Sequence, residues 1–143
     1  MKEKTDPRHQ ARRIALQTLF EWSFLSRKPN EILRENFARL ESKKSVSADK
    51  ELAEKIALGV TENRQEIDKV ISDCAPDWPI EQTAKIDLAI LRIAVFELFI
   101  GKTTPAKVVI DEAVELGKEF GSEKSGNFVN GVLGTVVEKL GNV

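Results

Sequence analysis

The stretch LAILRIAVFELFI, Leu88 to Ile100, decides the fold. Counted from Ile86, its apolar residues return at steps of three and four: Ala89, Ile90, Ile93, Ala94, Phe96 and Ile100. Leu91 and Leu98 fill other faces. That period is helical, and a helix apolar on nearly every side belongs at the centre of a bundle. The spacing predicts a helix over about Ile80 to Ile100. Arg92 and Glu97 interrupt the run, which is too short to cross a bilayer. Two charges inside such a helix must find partners or reach water.

Outward from this segment the pattern stays helical. Breakers fall at Pro29, at KKSVS (43–47), at APDWP (75–79), at GKTTP (101–105) and at Gly121. They set off six more amphipathic segments. The first starts at Asp6 and Pro7, an N-cap followed by a first-turn proline, with Leu16, Leu19 and Phe20 inward. The second, from Asn30, turns Ile32, Leu33 and Phe37 inward. The third, about Ala48 to Thr61, carries Leu52, Ile56 and Val60, and the fourth, from Asn63, carries Ile67, Val70 and Ile71. The sixth begins at Thr104-Pro105 and buries Val109, Ala113, Leu116 and Phe120, leaving Asp111, Glu112, Glu115 and Glu119 to solvent. Gly121 is the expected stop, and Ser122 the expected cap of a seventh helix reaching Leu140. The fold class is all-α: a bundle of about seven helices with short loops in one domain, residues 1–143.

Composition narrows the function. The net charge of −1 rules out a polycation that coats nucleic acid indiscriminately, so any polyanion site must be local. Such a patch exists at the start. Residues 1–13 hold Lys2, Lys4, Arg8, Arg12 and Arg13 against Glu3 and Asp6, so the basic end sits on an acidic body. Arg8 and Arg12, four apart, are expected on one face. The single cysteine, Cys74, forms no internal disulfide and no cysteine-based metal site, and suits a reducing cytoplasm. No signal core opens the chain. His9, the only histidine, has no serine or cysteine partner, and no phosphate loop, zinc spacing or dinucleotide fingerprint appears. An enzyme, a cofactor and a metal are therefore not expected.

The segment FGSEKSGNFVNGVLG, Phe120 to Gly134, is unusually rich in glycine for a helix. Lys124, Asn127, Gly131 and Gly134 follow at steps of three and four and share a face, with Phe128 at its edge. Amides and an ammonium reach bases and phosphates, an aromatic ring stacks, and glycine admits a close backbone. On spacing alone, the glycines serve helix packing equally well.

RHQARRIALQTLF, IDLAILRIAVFEL and IDEAVELGKEFGSEKSGNFVNGVL resemble, in order and spacing, three signature segments of the NusB family of bacterial transcription antitermination factors. The resemblance runs from Arg8 to Leu133. It implies two packed helical subdomains and a non-enzymatic role in the cytoplasm. The expected partners are boxA RNA of ribosomal RNA leader transcripts, the ribosomal protein NusE and the antitermination complex on RNA polymerase. RNA-binding positions are implied at Arg8, His9, Gln10, Arg12, Arg13, Lys124, Asn127, Phe128 and Asn130, and the NusE surface at Phe20 and Asp87. Reversing the charge of Arg12 and Arg13 is expected to weaken RNA binding without unfolding the bundle. The chain departs from the family pattern at His9 and Gln10, where arginine is frequent, at Asn127 (often lysine), Gly134 (often aspartate) and Lys124 (often acidic or amide). Some members form homodimers that cover the RNA surface, and no residue here decides that point. The competing assignments are a helical protein–protein adapter with a basic end and, more weakly, the NusB-like domain of an RNA methyltransferase.

Overall fold

The computed structural model describes residues 6–43 and 46–141; Lys2, Glu3 and Lys4 of the basic start lie outside them. Seven α-helices account for the regular structure among the described residues: α1 (Pro7–Trp22), α2 (Pro29–Glu41), α3 (Lys50–Glu62), α4 (Arg64–Cys74), α5 (Lys85–Phe96), α6 (Ala106–Phe120) and α7 (Ser125–Leu140). The helices α1, α2 and α3 pack on one another, while α4, α6 and α7 pack around α5. α5 also touches α1 and α3, so the two groups share one continuous apolar core.

α5 occupies the centre, as its all-round apolar pattern predicts. Every residue from Asp87 to Leu98 is buried. Each aliphatic or aromatic side chain fully removed from water there contributes about 1.5–3 kcal/mol. The central helix is shorter than its pattern suggests. Ile80–Gln82 form a single 3-10 turn, and beyond Phe96 the chain widens into a π-helical turn, Glu97–Gly101, that ends at Lys102 in the left-handed region (φ 51°). Both charges in the apolar run have partners from distant helices. Arg92 makes two bonds to Asp68 of α4, at 2.8 and 2.9 Å, and Glu97 receives Arg12 of α1.

Local signals fix most helix starts. Asp6 caps α1, accepting from the Arg8 backbone N–H at 3.0 Å, and Asp49 caps α3 through Leu52 N–H at 3.0 Å. Two expected caps differ. Thr104 does not cap α6; its hydroxyl lies 3.4 Å from Glu97. Ser122 does not open α7, which begins three residues later. Its hydroxyl accepts from Lys124 N–H, and its own N–H donates to Ser125 Oγ at 2.9 Å, so the two serines tie off a turn. Gly121 ends α6 in extended backbone (φ −93°, ψ −165°), not in the left-handed form usual for a glycine stop. The reason for glycine there is contact: a Cβ would sit 2.9 Å from the Gly117 carbonyl oxygen and closer still to Ser125.

Candidate nucleic-acid interface

The basic start of α1 divides into an outer and an inner set. Arg8 is exposed and Arg13 half-buried, but His9, Gln10 and Arg12 are buried. Arg12, expected to face RNA beside Arg8, is only 2% exposed. Its guanidinium grips Glu97 with two bonds, at 2.8 and 2.9 Å, and lies 3.4 Å from Glu112. Burial alone would lower its pKa; the Glu97 bonds and charge, helped by Glu112, more than offset that, so the cation is firmly held. The expectations for Arg12, His9 and Gln10 as exposed contacts are therefore corrected. Four of the five guanidinium donors already meet Glu97, Glu112 and Thr104, and the group lies below the surface that a phosphate can reach. Glu112, expected on the solvent face of α6, is the counter-ion and is itself 1% exposed.

His9 fills the gap between α1 and α6. Its Nδ1 meets Glu112 Oε1 at 3.1 Å, and its Nε2 meets Glu119. The Glu112 bond is the largest influence on the ring and raises its pKa above the ordinary 6.5; burial opposes it, and the Glu119 and Glu112 charges reinforce it. A doubly protonated ring donates to both carboxylates. Because the folded pKa lies above the unfolded one, this stabilisation is complete below about pH 6.5 and fades as pH rises through the raised folded value. Urea titrations of the wild type and His9→Gln should show a stability gap that narrows with rising pH. A gap independent of pH would mean that the ring is neutral when folded.

These buried bonds carry the two sequence patches together. Arg13 lies 3.3 Å from Glu119 and stacks over Phe120, 5.2 Å from the ring centroid, and also bonds Gln10. Phe120 is the last residue of α6, four residues before Lys124. Arg13 of α1 thus rests against α6, the helix that leads into the turn bearing Lys124. Along α7, Lys124, Asn127, Asn130, Gly131 and Gly134 are all exposed, and Phe128 is half-buried. No heavy atom would lie within 4 Å of a Cβ at Gly131 or Gly134, so these two do not serve packing. Gly117 and Gly126 do: a Cβ on Gly117 would fall 3.2 Å from the Gly126 backbone nitrogen, where α6 and α7 cross.

The expected partner surface splits. Phe20 is half-buried and packs edge-on against Phe24, 58% exposed, at 5.0 Å between centroids; Lys85 leans over that ring at 5.4 Å. Asp87 stands in the first turn of α5. It is buried, not freely exposed as expected, and its Oδ1 has no hydrogen-bond partner among the described residues. It lines a groove of about 560 Å³ shared with Lys124, Asn127 and Phe128. Trp78 lines it too, a residue that helical period leaves inside a breaker. An aromatic between two prolines, where most loop residues are polar, was the available signal.

The sequence pattern of the NusB family matches residues 9–138. The chain belongs to the NusB family. As a member it is a non-enzymatic transcription antitermination factor. It is 42% identical to the transcription antitermination protein NusB of Roseiflexus castenholzii, over 92% of each chain. It is 44% identical to that of Chloroflexus aggregans, over 92% of this chain and 87% of the relative. The fold superposes on NusB of T. maritima with a TM-score of 0.82 at 34% identity, covering 94% of this chain and 93% of the other. It also matches a chain in the crystal structure of the antitermination factors NusB and NusE with double-stranded RNA: TM-score 0.80, 28% identity, 92% of this chain and 96% of that one. Among the described residues no helix is long and apolar enough to cross a membrane, and no cluster of metal-ligating side chains occurs. Cys74 is buried, and burial pushes its thiol pKa up, away from reactivity.

Proposed function

We propose that this chain acts as one RNA-binding domain, residues 1–143, that takes up boxA RNA of ribosomal RNA leader transcripts in the cytoplasm. It does so with NusE, and the pair joins the antitermination complex on RNA polymerase. RNA meets the face formed by Arg8, Arg13, Lys124, Asn127, Phe128 and Asn130. His9, Gln10 and Arg12 act beneath it, fixing α1 on α6. NusE meets Phe20 with its neighbour Phe24, and supplies a donor to Asp87. One observation carries the reading: Arg13, through Glu119 and Phe120, joins the basic start of α1 to the turn that presents Lys124. A second groove beside Asn127 and Asn130 carries Asp111 and Glu115 together with Lys118, so its charges are mixed.

The decisive test is fluorescence anisotropy with a boxA oligoribonucleotide and a scrambled one, with and without NusE, at several salt concentrations. Selective binding that tightens with NusE is expected. Equal, weak binding to both RNAs would favour a helical adapter. With Arg12 withdrawn, three cations remain among the described residues of this face: Arg8, Arg13 and Lys124. The slope of log affinity against log salt should then be about −2, at roughly −0.7 per contact on a single strand. A slope near zero would remove the charged face from the account.

Gly131 offers a test that separates stability from binding. In an exposed helix interior, Gly131→Ala should stabilise the fold by about 1 kcal/mol, and a Cβ there has open space. On a surface that receives an RNA backbone, the same methyl should weaken binding. A more stable protein with unchanged affinity would show that the strand does not pass Gly131.

A further inference from the structure

The groove beside Lys124 has one wall that the RNA-binding reading leaves unused. Trp78, in the connection between α4 and α5, is 59% exposed, the highest value among the exposed large apolar side chains. It is not an isolated exposed ring, since it forms one apolar patch with Phe128 in the groove. The ring is well held. Pro76 and Pro79 bracket it, its backbone N–H donates to Ala75 carbonyl at 3.0 Å, and Thr83 Oγ1 donates to Pro79 carbonyl at 3.0 Å. Phe128 meets it edge to face, with centroids 5.8 Å apart and planes at 81°. An aromatic fixed in this way loses little entropy when a flat ring stacks on it.

We propose that Trp78 is a base-stacking residue: an unpaired nucleotide of the bound RNA enters the groove base first and lies against the indole. The inference rests on the RNA-binding reading and extends it to a segment 46 residues upstream of Lys124. Three observations select a nucleotide. The groove is continuous with the proposed RNA face, because Lys124, Asn127 and Phe128 line it too. Its volume, about 560 Å³, suits a planar ring with its sugar. Its charges are ordered: the buried Asp87 carboxylate turns a phosphate away, while exposed Lys124 attracts it, so the base goes in and the phosphate stays out.

The test uses the full chain and a fluorescein-labelled single-stranded boxA oligoribonucleotide, with Trp78→Ala, Trp78→Phe and Lys124→Glu. Trp78→Ala should weaken binding roughly ten- to hundredfold, the range for loss of one base–aromatic stack, with an unchanged helical signal. Trp78→Phe should retain most of the affinity. RNA should quench intrinsic fluorescence in the wild type but not in Trp78→Phe, whose one remaining tryptophan is Trp22. If Lys124→Glu weakens binding and Trp78→Ala does not, the stacking role is overturned while the RNA-binding reading stands. If Trp78→Ala weakens NusE binding and leaves RNA affinity intact, Trp78 belongs to a protein interface and the inference is equally overturned. If the wild type shows no RNA binding, or binding indifferent to both residues, the RNA-binding reading itself fails.

Discussion

Arg12→Met should lower the melting temperature by roughly 10–20 °C. The guanidinium is buried against Glu97 and Glu112, with two bonds of 2.8 and 2.9 Å to the first. Removing one partner of a buried ion pair costs about 3–5 kcal/mol, because the other partner is left charged and dry. Here Glu97 loses both guanidinium bonds, and Glu112 loses one cationic neighbour while keeping another, His9. In a domain of this size each kcal/mol corresponds to a few degrees. Arg12→Glu with Arg13→Glu, expected from the sequence to spare the fold, should be worse still, since it buries a third carboxylate. Arg12→Met with Glu97→Met should recover much of the loss, because an apolar pair of similar volume replaces the ionic one. Thermal melts by circular dichroism read both variants. A shift of only a degree or two in Arg12→Met would place that side chain in solvent and return it to the list of RNA contacts.

Gly121→Ala should cost about 1–3 kcal/mol, the usual range for forcing a methyl into a filled site, and should weaken RNA binding as well. The backbone at Gly121 is one that any residue adopts, so the penalty comes from contact alone. The new Cβ would overlap Ser125 Oγ and Cβ and press on the Gly117 carbonyl. The relief available is to move the start of α7 away from the end of α6, which shifts Lys124 and Asn127 relative to Arg13. Adding Ser125→Gly removes two of the three clashes and should restore part of the stability. Unfolding and anisotropy titrations on the same samples test the pairing. Lost stability with intact RNA affinity would mean that the position of the turn does not matter to binding. The contrast with Gly131→Ala is instructive: the same exchange, ten residues further on in the middle of α7, reverses the sign of the stability change.

Helical period made the order of the elements legible, and α5 most clearly, because an apolar pattern on all sides has only one place in a bundle. The Asp6–Pro7 start and the shared face of Lys124, Asn127, Gly131 and Gly134 were legible for the same local reasons. The inward turn of Arg12 was not. Spacing tells which residues share a face, but a cationic residue can face inward when a counter-ion waits there, and Glu97 and Glu112 lie 85 and 100 residues further on. Glu112 failed to read as buried for the mirror-image reason. The glycines were ambiguous in sequence because the question of packing against exposure depends on a neighbour. That neighbour exists at Gly117 and Gly126 and is absent within 4 Å of Gly131 and Gly134. The π-helical turn after α5 begins at Glu97, whose partner Arg12 lies on α1, and no local pattern contains that pairing.

The pairing of His9 and Arg12 with carboxylates some hundred residues downstream has a consequence for biosynthesis. A chain leaving the ribosome exposes α1 first, with its inner charges uncompensated. Nothing can neutralise Arg12 until Glu97 emerges, or settle His9 until Glu112 and Glu119 follow. Until then, bringing α1 into the core would bury naked cations, so hydration holds it outside. Closing so long a loop adds an entropic toll to the late step. The N-terminal part of the RNA face, though translated first, is therefore assembled among the last, and a newly made molecule gains its full binding surface only when nearly all of it has been synthesised.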